Sequence, residues 1–182
     1  MKNLTAKLII VLALISIASG FFLALTYTYT IPHIEANAAR EQEIAILDTI
    51  PGAVSFEVIE GTDFPMYKGL DSGGKTVGFA YVAEGGGFQG VITLMVGVDP
   101  EQEMITGIKI LSHSETPGLG ARIGEAAFQD QFAQKPINDD YEVNKDVDGV
   151  TGATVSSRAV AATLKQTLPQ ALEQYRVSGG AK

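Results

Sequence analysis

The chain has 182 residues, 46% of them apolar, with a formal net charge of −8 and neither cysteine nor tryptophan. That length suits one membrane anchor plus one domain of ordinary size with a real core. The acidic balance argues against a nucleic-acid partner, and the missing cysteines exclude disulfides, thiolate catalysis, iron–sulfur ligation and cysteine-bound zinc.

The first predicted element is a membrane span. "LIIVLALISIASGFFLALTYTYTI" (8–31) carries no charge, and about 20 such residues cross a bilayer. Lys2 and Lys7 precede it, and no Lys or Arg follows until Arg40. The positive-inside rule then expects residues 1–31 to be a cytoplasmic N-terminus and anchor, with everything beyond on the outer side. Tyr27 and Tyr29 stand at the outer end, where aromatic belts form. "ANA" (36–38) matches a signal-peptide cleavage pattern, but the apolar run exceeds a normal signal core and the pattern lies well past its end, so an uncleaved anchor is expected.

Residues 32–50 predict a stalk helix, with Thr30 as cap, Pro32 in the first turn and an apolar stripe of Ile34, Ile44 and Leu47; "PG" (51–52) ends it. Residues 51–182 form the expected domain. Four runs rich in β-branched and aromatic residues, 55–61, 75–85, 88–99 and 104–114, are separated by "DSGGK", "EGGGF" and "DPEQE". They predict an antiparallel meander. Val77, Phe79 and Tyr81 alternate toward one face, and "VITLMV", apolar on both faces, predicts a central strand. A helix is expected over 122–135, with Ile123, Ala127, Phe128 and Phe132 on its apolar side. Residues 140–150 read as strand or extended loop. A last helix is expected from 156, with Val160, Leu164 and Leu168 at four-residue spacing; Pro169 kinks it or begins a further turn. The closing "VSGGAK" is expected to fray. The class is α+β behind a single membrane helix.

Two stretches carry candidate chemistry. In "DGVTGATVSS" (148–157), Gly149 and Gly152 permit tight turning and close approach of a ligand. The N–H groups of the helix start attract an anion, and Thr151, Thr154, Ser156 and Ser157 add hydroxyls. Taken alone, these residues slightly favour an ordinary helix cap over a phosphate seat. The stretch is neither a Walker loop nor a nucleophile elbow. In "SHSETPGLGARI" (112–123), the glycines of a rigid turn allow approach of a flat ligand, though taken alone a plain strand-to-helix turn is preferred. His113 and Glu115 lack the Cys-x-x-Cys of a zinc deaminase.

The segment Asp148-Gly-Val-Thr-Gly-Ala-Thr154 resembles the flavinylation motif Asp-x-x-Ser/Thr-Gly-Ala-Thr of the FMN-binding domain family. The resemblance implies that a flavin transferase splits FAD and joins FMN through a phosphodiester to Thr154, reading Asp148, Gly152 and Ala153 around it. "SHSETPGLGARI" is similar to a segment of the G subunit of the Rnf electron-transport complex and of the related C subunit of sodium-pumping NADH:quinone oxidoreductase. That similarity implies Glu115, Thr116 and Leu119 beside the flavin ring, with Thr151, Gly152 and Ala153 completing the cofactor site. Phe128 stands where such proteins often carry tryptophan, and Lys135 and His113 receive no role. The likeness runs over nearly the whole chain, whose length favours the Rnf protein.

The resemblance thus implies a membrane-anchored covalent-FMN electron carrier. It would relay electrons one at a time on the outer face of an Rnf-type complex that couples ferredoxin and NAD to sodium or proton movement. No residue resembles a general acid or base for independent catalysis, so the chain is expected to act as a redox carrier within a translocase. The alternative from another class is a non-redox anchored module whose "TGAT" loop holds a free anion.

Overall fold

The computed structural model describes residues 2–178, so the expected fraying of the C-terminus falls largely on residues outside the described ones. The chain divides into two compact units, Met1–Glu41 and Gln42–Lys182.

The first helix, α1, spans Lys2–Thr49 without interruption and contains Pro32 in its interior. The expected new start at Thr30 is therefore corrected. Proline removes one backbone donor, but a helix of this apolar kind has nowhere better to place the remaining backbone groups, and membrane helices commonly retain it. The helix is long and apolar enough to cross a membrane.

The second unit begins with the end of α1. Here the buried side chains are Ala45, Ile46 and Ile50, while Ile44 is exposed and Leu47 only half-buried. The buried stripe is thus shifted around the helix from the predicted one. The carbonyl of Thr49, one of the groups left without a helical partner at any helix end, accepts a hydrogen bond from Thr106 Oγ1. Gly97 lies directly beneath that carbonyl, and a Cβ there would collide with it.

Five strands follow: β1 (Ser55–Ile59), β2 (Met66–Leu70), β3 (Thr76–Gly86), β4 (Val91–Asp99) and β5 (Met104–Ser112). They form one antiparallel sheet in chain order, as the alternating runs and turn residues predict. β2 escapes the sequence reading because "FPMYKGL" carries proline and glycine. Gly69 is there for space, since a Cβ would come within 2.9 Å of the Ile50 side chain. The register shifts between β2 and β3 at Gly69/Leu70. Val77 consequently packs on the α1 side with Ala80 and Met95, not with Phe79 and Tyr81 as the alternation suggests.

The other face of the sheet is covered by the last helix, α3 (Thr154–Val177), which runs through Pro169. Its Val160, Leu164, Leu168 and Tyr175 pack with Phe79, Tyr81, Leu94 and Val96 in the main core. Tyr175 stacks on Phe79 at a centroid distance of 4.3 Å. Burying each such side chain is worth about 1.5–3 kcal/mol, which makes this face the main source of stability. Gly85 meets Thr163 of α3 where a side chain could not fit, so helix and strand approach closely at the end that carries the site.

Between β5 and α3 the expected helix over 122–135 is replaced by a 3₁₀ turn (Gly120–Gly124), a single α-helical turn, α2 (Ala126–Gln129), and another 3₁₀ turn (Asp130–Phe132). Two causes break it. Glu125 is extended, and the buried Gln129 donates through Nε2 to the Gly124 carbonyl while its Oε1 accepts the Ile110 N–H. After Phe132 the chain turns back along β5, with Gln134 N–H donating to Ile105 O and Ile105 N–H to Lys135 O. Residues 140–150 form turns joined by an isolated Val143–Val147 bridge.

The Gly97 contact generates a test. Gly97→Ala puts a methyl group into the Thr49 carbonyl and should lower stability by roughly 1–3 kcal/mol, the range for overpacking a filled site. Thermal unfolding of the full chain in detergent measures it; a wild-type midpoint would mean that the end of α1 is not seated on β4.

Candidate functional site

Three separate pieces of chain converge at one end of the sheet: the β3–β4 hairpin tip, the segment after β5 and the start of α3. They enclose a cavity of about 340 Å³ lined by Phe88, Glu115, Thr116, Leu119, Gly120, Gly152, Ala153, Thr154, Val155 and Ser156. The structure therefore brings together the two stretches that the sequence singles out, although they are well separated along the chain.

Glu115 holds these pieces together. The residue is 5% exposed. Oε1 accepts the backbone N–H of Phe88 (2.8 Å) and of Gln89 (3.1 Å), and Oε2 accepts Ser156 Oγ–H (2.6 Å). Burial alone would push the carboxyl up. The Ser156 hydroxyl, the Gln89 and Phe88 N–H groups and nearby His113 outweigh it and hold the group below its ordinary value. The glycines around it are spatial necessities: a Cβ on Gly87 would strike Oε1, and one on Gly120 would come within 2.7 Å of Oε2.

The start of α3 is tied from within. Ser157 Oγ donates to the Ala153 carbonyl and accepts the Val150 N–H. Both Ser156 and Ser157 are buried with their hydroxyls engaged inside the protein, so neither adds the anion donor expected of it. Thr154 is the first residue of the helix, half-buried at the cavity wall, and its hydroxyl makes no hydrogen bond among the described residues. The N–H groups of Thr154, Val155 and Ser156 have no helical partner and face the N-terminal side. Gly152 adopts φ +81°, a conformation that favours glycine, and a Cβ there would press on Leu119 Cδ2 at 3.2 Å. Thr151 and Asp148 are exposed and lie outside the cavity lining.

Sequence reasoning misses Phe88 and Val155, exposed apolar side chains on the rim. The signal for Phe88 is an aromatic residue inside the glycine run "EGGGFQG", which reads as no more than a turn. Phe128 is in the core rather than at the cavity, and Lys135 is paired with Asp139 at 4.0 Å.

Residues 87–169 match the model of the FMN-binding domain family. The G subunit of the ion-translocating oxidoreductase complex of Methanosarcina acetivorans is 37% identical over 169 residues, covering 87% of this chain and 89% of that protein. This chain belongs to that G-subunit family. The G subunit of the proton-translocating ferredoxin:NAD(+) oxidoreductase complex of Clostridium ljungdahlii is 30% identical over 174 residues, covering 93% and 88%. The crystal structure of Shewanella oneidensis NqrC shares the fold, with a TM-score of 0.52 at 22% identity over 68% of this chain and 72% of that one.

The matched span includes every residue of the cavity, and the cavity fits FMN on its own terms. Phe88, Leu119 and Val155 offer apolar contact to a flat ring, while an unengaged hydroxyl and free helix N–H groups sit together for a phosphate. Across the cavity, Glu115 joins the hairpin tip to the start of α3.

The depressed Glu115 carboxyl makes stability pH-dependent. A group whose folded value is lowered contributes stability above its unfolded value and loses it as pH falls through the folded one. Acidification through and below the ordinary carboxylate range should therefore destabilise the protein. Glu115→Gln should cost about 1–2 kcal/mol at neutral pH, the margin of a charged over a neutral hydrogen-bond acceptor. It should also flatten the acid limb. Melting curves over a pH series read both; an unchanged acid limb would show that this carboxyl does not clamp the site.

Proposed function

We propose that this chain is a membrane-anchored electron carrier that holds FMN covalently on Thr154, within an ion-translocating complex of the Rnf type. The observation that carries the reading is the cavity at the start of α3, where the family's FMN-binding stretch and the "ETPGLG" segment meet around a free threonine hydroxyl. Relatives bear names of ion-translocating and ferredoxin:NAD(+) oxidoreductase complexes, which supports other subunits of such a complex as partners.

In this reading FMN supplies the electron-transfer chemistry, and the protein supplies attachment, orientation and tuning. Thr154 holds the phosphate end, where the helix N–H groups favour negative charge. Glu115, Thr116 and Leu119 bound the ring end with Phe88. Glu115 bears its negative charge at neutral pH and so contributes to the potential felt at the ring. A flavin transferase is the transient partner, reading Asp148, Gly152 and Ala153 around Thr154, and its donor is FAD. The covalent bond keeps the cofactor where a dissociated flavin would be lost.

Residues 1–31 supply the anchor and 32–50 the stalk. The FMN domain, 51–182, lies on the extracytoplasmic side, as the placement of Lys2 and Lys7 supports.

Two outcomes test this. When the chain is co-produced with a flavin transferase, the denatured wild-type gel band should fluoresce under ultraviolet light. Thr154→Ala and Thr154→Val should be dark; a mutant band as bright as wild type would remove Thr154 from the chemistry. Protease added to intact cells should cut the domain. Protection in intact cells, with cleavage only in inverted vesicles, would reverse the orientation.

A further inference from the structure

The attachment loop is fixed by a residue that the flavin motif itself does not include. Gln131, in the short turn between α2 and the return along β5, grips the main chain of Asp148 from both sides. Its Oε1 accepts the Asp148 N–H at 2.7 Å, and its Nε2 donates to the Asp148 carbonyl at 3.3 Å and to the Ala127 carbonyl at 3.2 Å. A side-chain amide is thus used as a strand partner for one residue. Phe128 and Phe132 on either side of Gln131 are buried, with ring centroids 5.3 Å apart.

The effect is seen at Asp148. Its backbone N–H and carbonyl are both engaged, yet its side chain is exposed, and the carboxylate has no hydrogen bond or ion pair among the described residues. The far end of the loop is held as well. Ser157 Oγ accepts the Val150 N–H, and the Ala153 N–H donates to the Val150 carbonyl. Between Asp148 and Ala153, Thr151 and Gly152 are exposed, and Thr154 follows at the cavity wall. A loop fixed at both ends, with a bare carboxylate at one and a free hydroxyl at the other, is a preorganised surface for a second macromolecule. Preorganisation lowers the entropy lost on binding.

We propose that Gln131 is a positioning residue for flavin attachment, acting through Asp148 to present that carboxylate to the transferase at a fixed distance from Thr154. The proposal rests on the covalent-FMN reading above. In the attachment step Thr154 Oγ attacks the flavin-side phosphorus of FAD. The bond from that phosphorus to the bridging oxygen breaks, AMP leaves with that oxygen, and the hydroxyl proton passes to a base of the transferase or to solvent. Gln131 takes no part in these bonds.

The test uses the full chain in detergent with purified transferase and FAD, following the added flavin by intact mass at several chain concentrations. Gln131→Ala should lower kcat/KM of attachment about tenfold, the scale set by one or two hydrogen bonds. The loss should fall mainly on KM, while the variant keeps a single cooperative unfolding transition. Gln131→Glu, which keeps the acceptor and loses the donor, should fall between the two. The deciding comparison is with Asp148→Asn. If Gln131 acts through Asp148, adding Gln131→Ala to Asp148→Asn should cost less than roughly twofold more, because coupled residues do not add. A wild-type rate for Gln131→Ala, or a full undiminished loss in the Asp148→Asn background, would overturn the proposal. Failure of the wild-type chain to gain flavin would instead overturn the covalent reading, and this inference with it.

Discussion

The arrangement of the site depends on one buried carboxylate. Glu115 receives two backbone N–H groups from the β3–β4 hairpin and one hydroxyl from the first turn of α3. Without it, the irregular loop would lose the one side chain that hydrogen-bonds both the hairpin tip and the helix start. Its removal would leave three donors without an acceptor, each costing about 1–3 kcal/mol where buried. The protein is built around this demand: Gly87 and Gly120 give up their side chains to let the carboxylate in. The group is ionised because its donors outweigh its desolvation. The same charge then stands in the wall of the cavity.

The rest of the fold aims this clamp. Close packing at Gly85 draws α3 against β3, and Phe79–Tyr175 stacking holds its far end. The helix start is thereby set opposite the segment after β5. Selectivity among the hydroxyls of the small-residue stretch follows from the same packing. Ser156 serves Glu115, Ser157 serves the loop, and Thr151 lies outside the cavity lining, which leaves Thr154 as the hydroxyl that is both free and at the wall. An anion-favouring helix start is ordinary; what distinguishes this one is that two of the four hydroxyls in the stretch are engaged inside the protein and a third lies outside the cavity lining.

Much of the architecture is legible because it is periodic. The membrane run, the alternating strands and the four-residue spacing of Val160, Leu164 and Leu168 express burial directly in residue order. What escapes is set by non-local contacts. β2 is hidden because Gly69 exists to admit Ile50, a need that arises from another element of the chain. The helix over 122–135 has a convincing apolar period, yet Gln129 spends its amide on Gly124 and Ile110, and the chain breaks. Pro32 reads as a helix start because a soluble chain would place it there, whereas α1 absorbs it. At the site, the family motifs mark Glu115 and Thr154, and the cavity holds both; the hydrogen bonds of Ser156 and Gln131 are visible only in the folded chain.

The central claim is that one hydroxyl, that of Thr154, carries the flavin. Trypsin should release residues 146–158 as a single peptide, cut after Lys145 and after Arg158. Mass spectrometry of chain produced with a flavin transferase should find this peptide heavier by FMN less one water, with fragment ions confining the addition to Thr154. An unmodified peptide, or the same addition localised to Thr151, Ser156 or Ser157, would contradict the account.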